Sequence, residues 1–174
     1  MPKTPRSIVL IGFMGSGKSS TGQVLAQELG WPRIDTDEII EQEFGLAIAA
    51  MFARKGEECF REAESETLRK LEAETPTIIV TGGGIILRPE NVARLRGLGT
   101  IVWLKTDLAT LQKRLAGESE RPLLQTADPA KRMAELHGQR AKFYAAAADF
   151  TVDTSARNPL ETARTILDEL RISF

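Results

Sequence analysis

Residues 12–19 read Gly12-Phe13-Met14-Gly15-Ser16-Gly17-Lys18-Ser19. The spacing Gly-x4-Gly-Lys-Ser is that of a loop whose backbone wraps phosphate groups. Each residue type has a physical reason to be there. Glycines let successive N–H groups converge on phosphate oxygens with no Cβ in the way. A helix that starts at the loop's end adds partial positive charge. A lysine in this place reaches the β- and γ-phosphates of a nucleotide, and the next hydroxyl can ligate Mg2+. The flanks agree with the motif. Ser7–Phe13 is a continuous apolar run rich in Ile and Val, which suits a strand covered on both faces. From Lys18 to Leu29 the composition is helical, and Gly30-Trp31-Pro32 is a stop signal.

The rest of the chain alternates between the two kinds of element. Arg33–Asp35 reads as a second, short strand and Asp37–Phe44 as a helix closed by Gly45. Ile48–Lys55 and Glu57–Glu74 read as two helices broken at Gly56. Thr77–Thr81 is a third buried strand, halted by Gly82-Gly83-Gly84. A helix over Pro89–Leu95, a strand over Thr100–Leu104 and a helix over Asp107–Leu115 follow. Residues 116–127 are polar and contain Gly, Pro and Ser, so they are read as a mobile lid. A long helix then starts at Asp128-Pro129 and runs to about Ala147. A fifth strand over Phe150–Val152 and a helix over Leu160–Leu170, capped by Asn158-Pro159, complete the chain. This alternation predicts a three-layer α/β sandwich around a parallel sheet, folded as one domain over residues 1–174.

Composition excludes several classes. Apolar residues make up 42% and charged residues 27% of the 174 positions, as in ordinary globular domains. Lys plus Arg is 23 and Asp plus Glu is 24, for a net charge of −1. A nucleic-acid binder or a protein of anionic membranes would carry a basic excess or a basic run, and this chain has neither. The single cysteine, Cys59, cannot form an intrachain disulfide, which fits a reducing cytoplasm. The N-terminal residues carry no apolar signal region, and Ser7–Met14 is too short to span a membrane.

The acidic groups identify the kind of nucleotide chemistry. Many phosphate-loop proteins place an Asp at the end of a further buried strand to organise Mg2+. Here the strand Thr77–Val80 runs into Thr81 and three glycines instead. The carboxylates stand at Ile34-Asp35-Thr36-Asp37. Ligands of open α/β sheets bind beyond the carboxyl ends of the strands, so the loop, the two aspartates and the glycines should meet in one crevice. Two aspartates two apart at a strand end point to opposite sides, which predicts separate jobs: one toward Mg2+, the other toward the acceptor. Three glycines at a strand end predict close approach of a ligand to backbone.

In sum these motifs resemble the shikimate kinase family. The resemblance rests on the loop at 12–19, Asp-x-Asp at 35–37, Gly56-Glu57, Phe60-Arg61-x-x-Glu64 and the glycines at 82–84. It continues through Arg121-Pro122-Leu123-Leu124, Arg140 and Arg157-Asn158-Pro159, so it covers residues 12 to 159. It implies γ-phosphoryl transfer from ATP to the 3-hydroxyl of shikimate, in a cytoplasmic monomer acting in aromatic amino acid biosynthesis. It also implies a sheet of order 2-3-1-4-5, as in nucleoside monophosphate kinases, and an acceptor-binding helical segment over about residues 36–64. Lys18, Asp37 and Arg121 would be the catalytic groups. Gly15, Ser16, Gly17, Lys18, Ser19, Ser20, Arg114, Arg121, Arg157 and Pro159 would hold the nucleotide, with Arg114 and Arg157–Pro159 at the adenine. Asp37, Arg61, Gly82, Gly83, Gly84 and Arg140 would hold shikimate, the two arginines gripping its carboxylate. Ser19 and Asp35 would serve Mg2+, Glu64 would orient Arg61, and Phe52 and Phe60 would wall the pocket.

General chemistry agrees with these roles. A small carboxylate calls for the bidentate fork of Arg, and a transferring phosphoryl group calls for positive charge and exclusion of water. One departure stands out. The family usually has x-Pro-Leu-Tyr after the carboxylate-binding Arg; here Arg140 is followed by Ala141-Lys142-Phe143-Tyr144, which predicts altered helix geometry past Arg140. His137 has no metal-binding partners in the sequence and reads as a surface residue, and Cys59 as a small buried one. Trp31 and Trp103 read as residues packed in or near the core. Other small-metabolite kinases of this architecture, for gluconate or nucleoside monophosphates, share the loop and lid but not the set Asp37, Arg61 and Gly82–Gly84. A nucleotide switch of the small GTPase type would need Asn-Lys-x-Asp and Asp-x-x-Gly, and neither string occurs.

Overall fold

Every residue of Ser7–Ile11, strand β1, is buried in the computed structural model, which describes residues 6–118 and 121–172. The strand alternates its side chains between two helical layers, so it needs apolar groups at every position rather than every second one. In chain order the elements are β1, α1 (Lys18–Leu29), β2 (Arg33–Asp35), α2 (Thr36–Phe44), α3 (Ile48–Lys70), β3 (Ile78–Val80), α4 (Pro89–Leu98), β4 (Gly99–Lys105), α5 (Leu108–Leu115), α6 (Pro129–Ala147), β5 (Phe150–Asp153) and α7 (Pro159–Leu170). Single 3-10 turns occupy Ile85–Leu87 and Pro122–Leu124.

The five strands form one sheet in the order β2-β3-β1-β4-β5, all parallel. This is the expected order. Ile8, Leu10, Ile78, Val80, Val102 and Leu104 face α1 and α7, where they pack on Leu25, Ala163, Ile166 and Leu167. Val9, Ile11, Ile79 and Ile101 face the other layer, where they pack with Leu68 of α3, Leu95 of α4, Leu111 of α5 and Leu136 of α6. Each buried Ile or Leu contributes roughly 1.5–3 kcal/mol, whereas exposed ion pairs such as Arg69–Glu66 contribute at most about 1. The two apolar faces therefore hold the sandwich together. A third, smaller cluster of Ile40, Met51, Phe60 and Ala63 ties α2 to α3. Among the described residues no helix is long and apolar enough to cross a membrane.

Three expectations change in detail. Helix α2 begins at Thr36, one residue before the expected start at Asp37. The expected break at Gly56 is present: its φ of 82° and ψ of 168° are non-helical and divide α3 into two helical stretches. The second stretch ends at Lys70, short of the expected Glu74, where Arg94 donates to the Leu68 and Leu71 carbonyls. Helix α6 is continuous past Arg140, and Lys142, which stands in place of the family's proline, is exposed on it, so no break follows Arg140. Residues 119 and 120 of the expected lid lie outside the described residues.

Candidate active site

The sheet delivers the site's parts to one edge. The loop follows β1, Asp35 ends β2, Gly82–Gly84 follow β3, and Thr154 follows β5. The loop, Asp35, Gly82, Gly83 and Thr154 border a cleft of about 1110 Å³, whereas Gly84, Arg61 and Arg140 are not among its lining residues. All of Gly15–Ser20 line it, as do Asp35, Asp37, Gly82, Gly83, Arg114, Arg121, Arg157 and Pro159. Every residue expected at the nucleotide is thus on one wall or another of a single cavity.

Within the loop, Gly12, Gly15 and Gly17 take φ values of 155°, 78° and 91°, a conformation that side chains resist. The Lys18 ammonium donates to the Gly12 and Phe13 carbonyls at 2.8 and 3.0 Å. Burial pushes its pKa down to about 8, against the opposing pull of the Asp37 carboxylate. Behind the loop, Arg114 donates to the carbonyls of Gly15 (3.2 Å) and Thr154 (2.8 Å). Arg114 is therefore a brace for the loop as well as a wall of the cleft. Arg157 donates to the Asp153 carbonyl and Arg121 pairs with Glu118 at 2.9 Å.

The two aspartates do different things, though not because a strand turns them apart. Asp35 caps α2: its Oδ1 accepts from the Asp37 backbone N–H at 3.0 Å, and its Oδ2 stands 3.5 Å from Ser19 Oγ and 3.1 Å from Arg33 Nη2. Burial raises its pKa, opposed by that backbone bond. Asp37 sits one residue inside the helix, and its Oδ1 is buried with no hydrogen-bond partner among the described residues. Burial, helped by the Asp35 charge, pushes the Asp37 carboxyl up to about 6. A buried carboxylate oxygen without a partner, on a residue that lines a cleft, has its capacity to accept a hydrogen bond unused.

Charged groups crowd Gly82 and Gly84, whereas Gly83 keeps ordinary contact distances. A Cβ on Gly82 would stand 2.7 Å from Glu64 Oε1 and 2.8 Å from Asp37 Oδ1. One on Gly84 would overlap the Arg61 guanidinium, and one on Gly83 would lie 3.5 Å from Arg140 Nη1. Arg61 is 7% exposed; it bonds to Glu64 at 2.6 Å and to Glu57 at 3.1 Å. Glu64 is fully buried, and burial pushes its carboxyl up to about 7 against the pull of Arg61. Arg140 is 3% exposed and its guanidinium lies 5.8 Å from the Phe13 ring centre. Two buried guanidinium groups beside a glycine ribbon suit a small carboxylate.

Several residues differ from expectation. Phe52 and Phe60 pack on each other, ring centres 4.9 Å apart, in the α2–α3 core and are absent from the cleft wall. Partly buried Cys59 packs there too. His137 is not a plain surface residue: it touches the Phe13 ring edge-on and its Nε2 bonds to the Thr106 carbonyl at 3.0 Å. Sequence reasoning missed Thr106 and Thr154, which meet behind the loop, and the role of Tyr144, whose hydroxyl donates to the Gly83 carbonyl at 2.6 Å. Tyr144 stands one helical turn after Arg140, and that spacing is the signal that places both beside Gly83.

The shikimate kinase family profile matches residues 14–171. A shikimate kinase of Moorella thermoacetica is 42% identical over 167 residues, covering 96% of this chain and 95% of that one. One of Thermodesulfovibrio yellowstonii is 40% identical over 164 residues, covering 94% of each chain. A solved structure of shikimate kinase from Acinetobacter baumannii in complex with shikimate superimposes with a TM-score of 0.92 at 32% identity, covering 97% of this chain and 94% of that one.

Proposed function

The chain belongs to the shikimate kinase family, and from that premise we propose that it transfers the γ-phosphoryl group of ATP to the 3-hydroxyl of shikimate. The products are shikimate 3-phosphate and ADP, on the route to chorismate and the aromatic amino acids. One observation carries the reading: Asp37, Arg61 and Arg140 converge on Gly82–Gly84 beside the phosphate loop.

The residues suggest a division of labour. Arg61 and Arg140 take the carboxylate of shikimate, with Glu64 and Glu57 holding Arg61 in place. Asp37 Oδ1 accepts from the attacking hydroxyl and draws its proton away as the oxygen–phosphorus bond forms. Lys18 and the loop amides stabilise the charge that gathers on the transferring phosphoryl. Arg121, on the lid of about residues 116–127, adds a further positive charge, and closure of the lid limits transfer to water.

The residues also suit a divalent cation. No cluster of three or more His, Cys, Asp or Glu side chains that could hold a metal occurs among the described residues. Ser19 Oγ and Asp35 Oδ2 lie 3.5 Å apart at the loop, a sparse donor set of the kind Mg2+ uses when phosphates and water complete its shell. Ser19 would hold it directly and Asp35 through water; Mg2+ supplies neutralisation of phosphate charge when bound. The single cysteine favours a cytoplasmic enzyme, and the near-neutral charge favours one without nucleic-acid or membrane partners.

An ADP-release assay over several acceptors tests the reaction. Turnover is expected with shikimate, and not with gluconate or AMP. Turnover with either of those and none with shikimate would contradict it. A second expectation concerns Gly84. In Gly84→Ala the methyl displaces the Arg61 guanidinium, so KM for shikimate should rise at least about tenfold, the loss of one charge-assisted hydrogen bond. KM for ATP should stay within about twofold. Equal rises in both would mean that Arg61 does not act on the acceptor.

A further inference from the structure

We propose that Thr154 positions the phosphate loop: its hydroxyl holds the Ser16 carbonyl from the β5 side of the cleft and so aims the next amide of the loop at the nucleotide. The inference rests on the ATP-binding reading above.

Thr154 follows β5 and is 2% exposed. A threonine hydroxyl has one proton to give and two lone pairs to receive. All three are used here. Oγ1 lies 3.2 Å from the Ser16 carbonyl oxygen, 2.7 Å from Thr106 Oγ1 and 3.3 Å from Arg114 Nη1. A carbonyl can only accept and a guanidinium can only donate, so the direction of the network is fixed. Thr154 gives its proton to Ser16, Arg114 donates to Thr154, and Thr106 must be the donor in the pair with Thr154.

The hydroxyl is mounted on pinned backbone. The Thr154 N–H donates to the Lys105 carbonyl at 2.8 Å. Its carbonyl accepts from Arg114 Nη2 at 2.8 Å and from the Arg157 N–H at 3.2 Å. Thr106, in turn, is tied to α6 through the His137 bond to its carbonyl. The Ser16 carbonyl is thus held by groups from β5, from the turn after β4 and from α5.

The consequence lies in the Ser16–Gly17 peptide unit. A trans peptide carries its N–H opposite its C=O. Pinning the Ser16 carbonyl toward Thr154 aims the Gly17 N–H the other way, and Gly17 lines the cleft. Without the hydroxyl that carbonyl is free to rotate toward the phosphates, where it would repel them. A donor held in advance costs nothing to organise when the anion arrives. Thr154 touches none of the reacting atoms in this scheme; it acts through Ser16 and Gly17.

The test compares Thr154→Val, which keeps the shape and removes the donor, with Thr154→Ser, which restores it. Binding of MgATP and of Mg-tripolyphosphate is measured by calorimetry, with the KM for shikimate and the melting temperature alongside. We expect Thr154→Val to weaken both nucleotide and tripolyphosphate about tenfold, the loss of one hydrogen bond. Thr154→Ser should return both to within about twofold, and KM for shikimate should not move. Weaker binding of ATP alone would place Thr154 at the adenine and overturn the proposal. Equal loss for ATP and shikimate with no rescue by serine would make it a packing residue, and unchanged affinity would remove it from the site. A wild-type chain that bound neither probe would instead overturn the ATP reading itself.

Discussion

Lys18→Ala is expected to lower kcat by about three orders of magnitude while leaving the fold intact. Removing one preorganised group that stabilises transition-state charge costs about 100- to 1000-fold, and Lys18 brings a full positive charge to a buried position. Its ammonium rests on the Gly12 and Phe13 carbonyls, inside the loop it serves. Burial lowers its pKa to about 8 from the 10.5 of a free lysine. The unfolded chain therefore binds this proton more tightly than the folded one, and stability rises as pH climbs from about 8 toward 10.5. At pH 7 the charge is a cost to the fold, so the alanine variant should melt no lower than wild type. In the same vein, kcat/KM for ATP should fall above about pH 8, as the free enzyme loses the cation. A variant with near-normal kcat would contradict the mechanism, and one that fails to fold would contradict this reading of the buried charge.

Asp37→Asn should cut kcat/KM for shikimate by roughly 100- to 1000-fold, within the usual contribution of a positioned base, with ATP affinity changed by less than about twofold. The amide keeps the shape of the side chain and loses its ability to take a proton. The wild-type profile supplies the companion result. The Asp37 carboxyl titrates near 6, and its working form is the anion, so kcat/KM for shikimate should decline as pH falls below about 6. That acid limb should vanish in Asp37→Asn. Collapse of ATP affinity instead would place Asp37 in the metal shell and exchange its role with that of Asp35.

The strength of the sequence reading varied with the range of the interaction. Gly12–Ser19 was legible because the phosphate loop is local: its glycines, lysine and hydroxyl act within one strand–helix turn. The parallel sheet was legible because runs such as Ile78–Val80 must be apolar on both faces. The jobs of Asp35 and Asp37 were read less well. Their separation came from a strand's alternation, whereas Asp35 ends the strand as a helix cap and Asp37 begins a helix turn. Burial of Arg61 and Arg140 was hidden by the charged residues around them in the sequence. Glu57, Glu58, Glu62 and Lys142 do face solvent, but Glu64 is buried with Arg61, and what makes room for the guanidinium groups is the glycine ribbon that follows β3. Thr154 left no local signal at all. A threonine after a short strand is ordinary, and its partners at Ser16, Thr106 and Arg114 are distant in sequence.

The most direct measurement is a crystal structure with ADP, Mg2+ and shikimate bound. It should place the shikimate carboxylate on Arg61 and Arg140, its ring along Gly82–Gly84, a hydroxyl on Asp37 Oδ1, and the nucleotide phosphates on Gly15–Ser19. A shikimate carboxylate bound away from both arginines, or Asp37 turned from the acceptor toward the metal, would contradict the site assembled here.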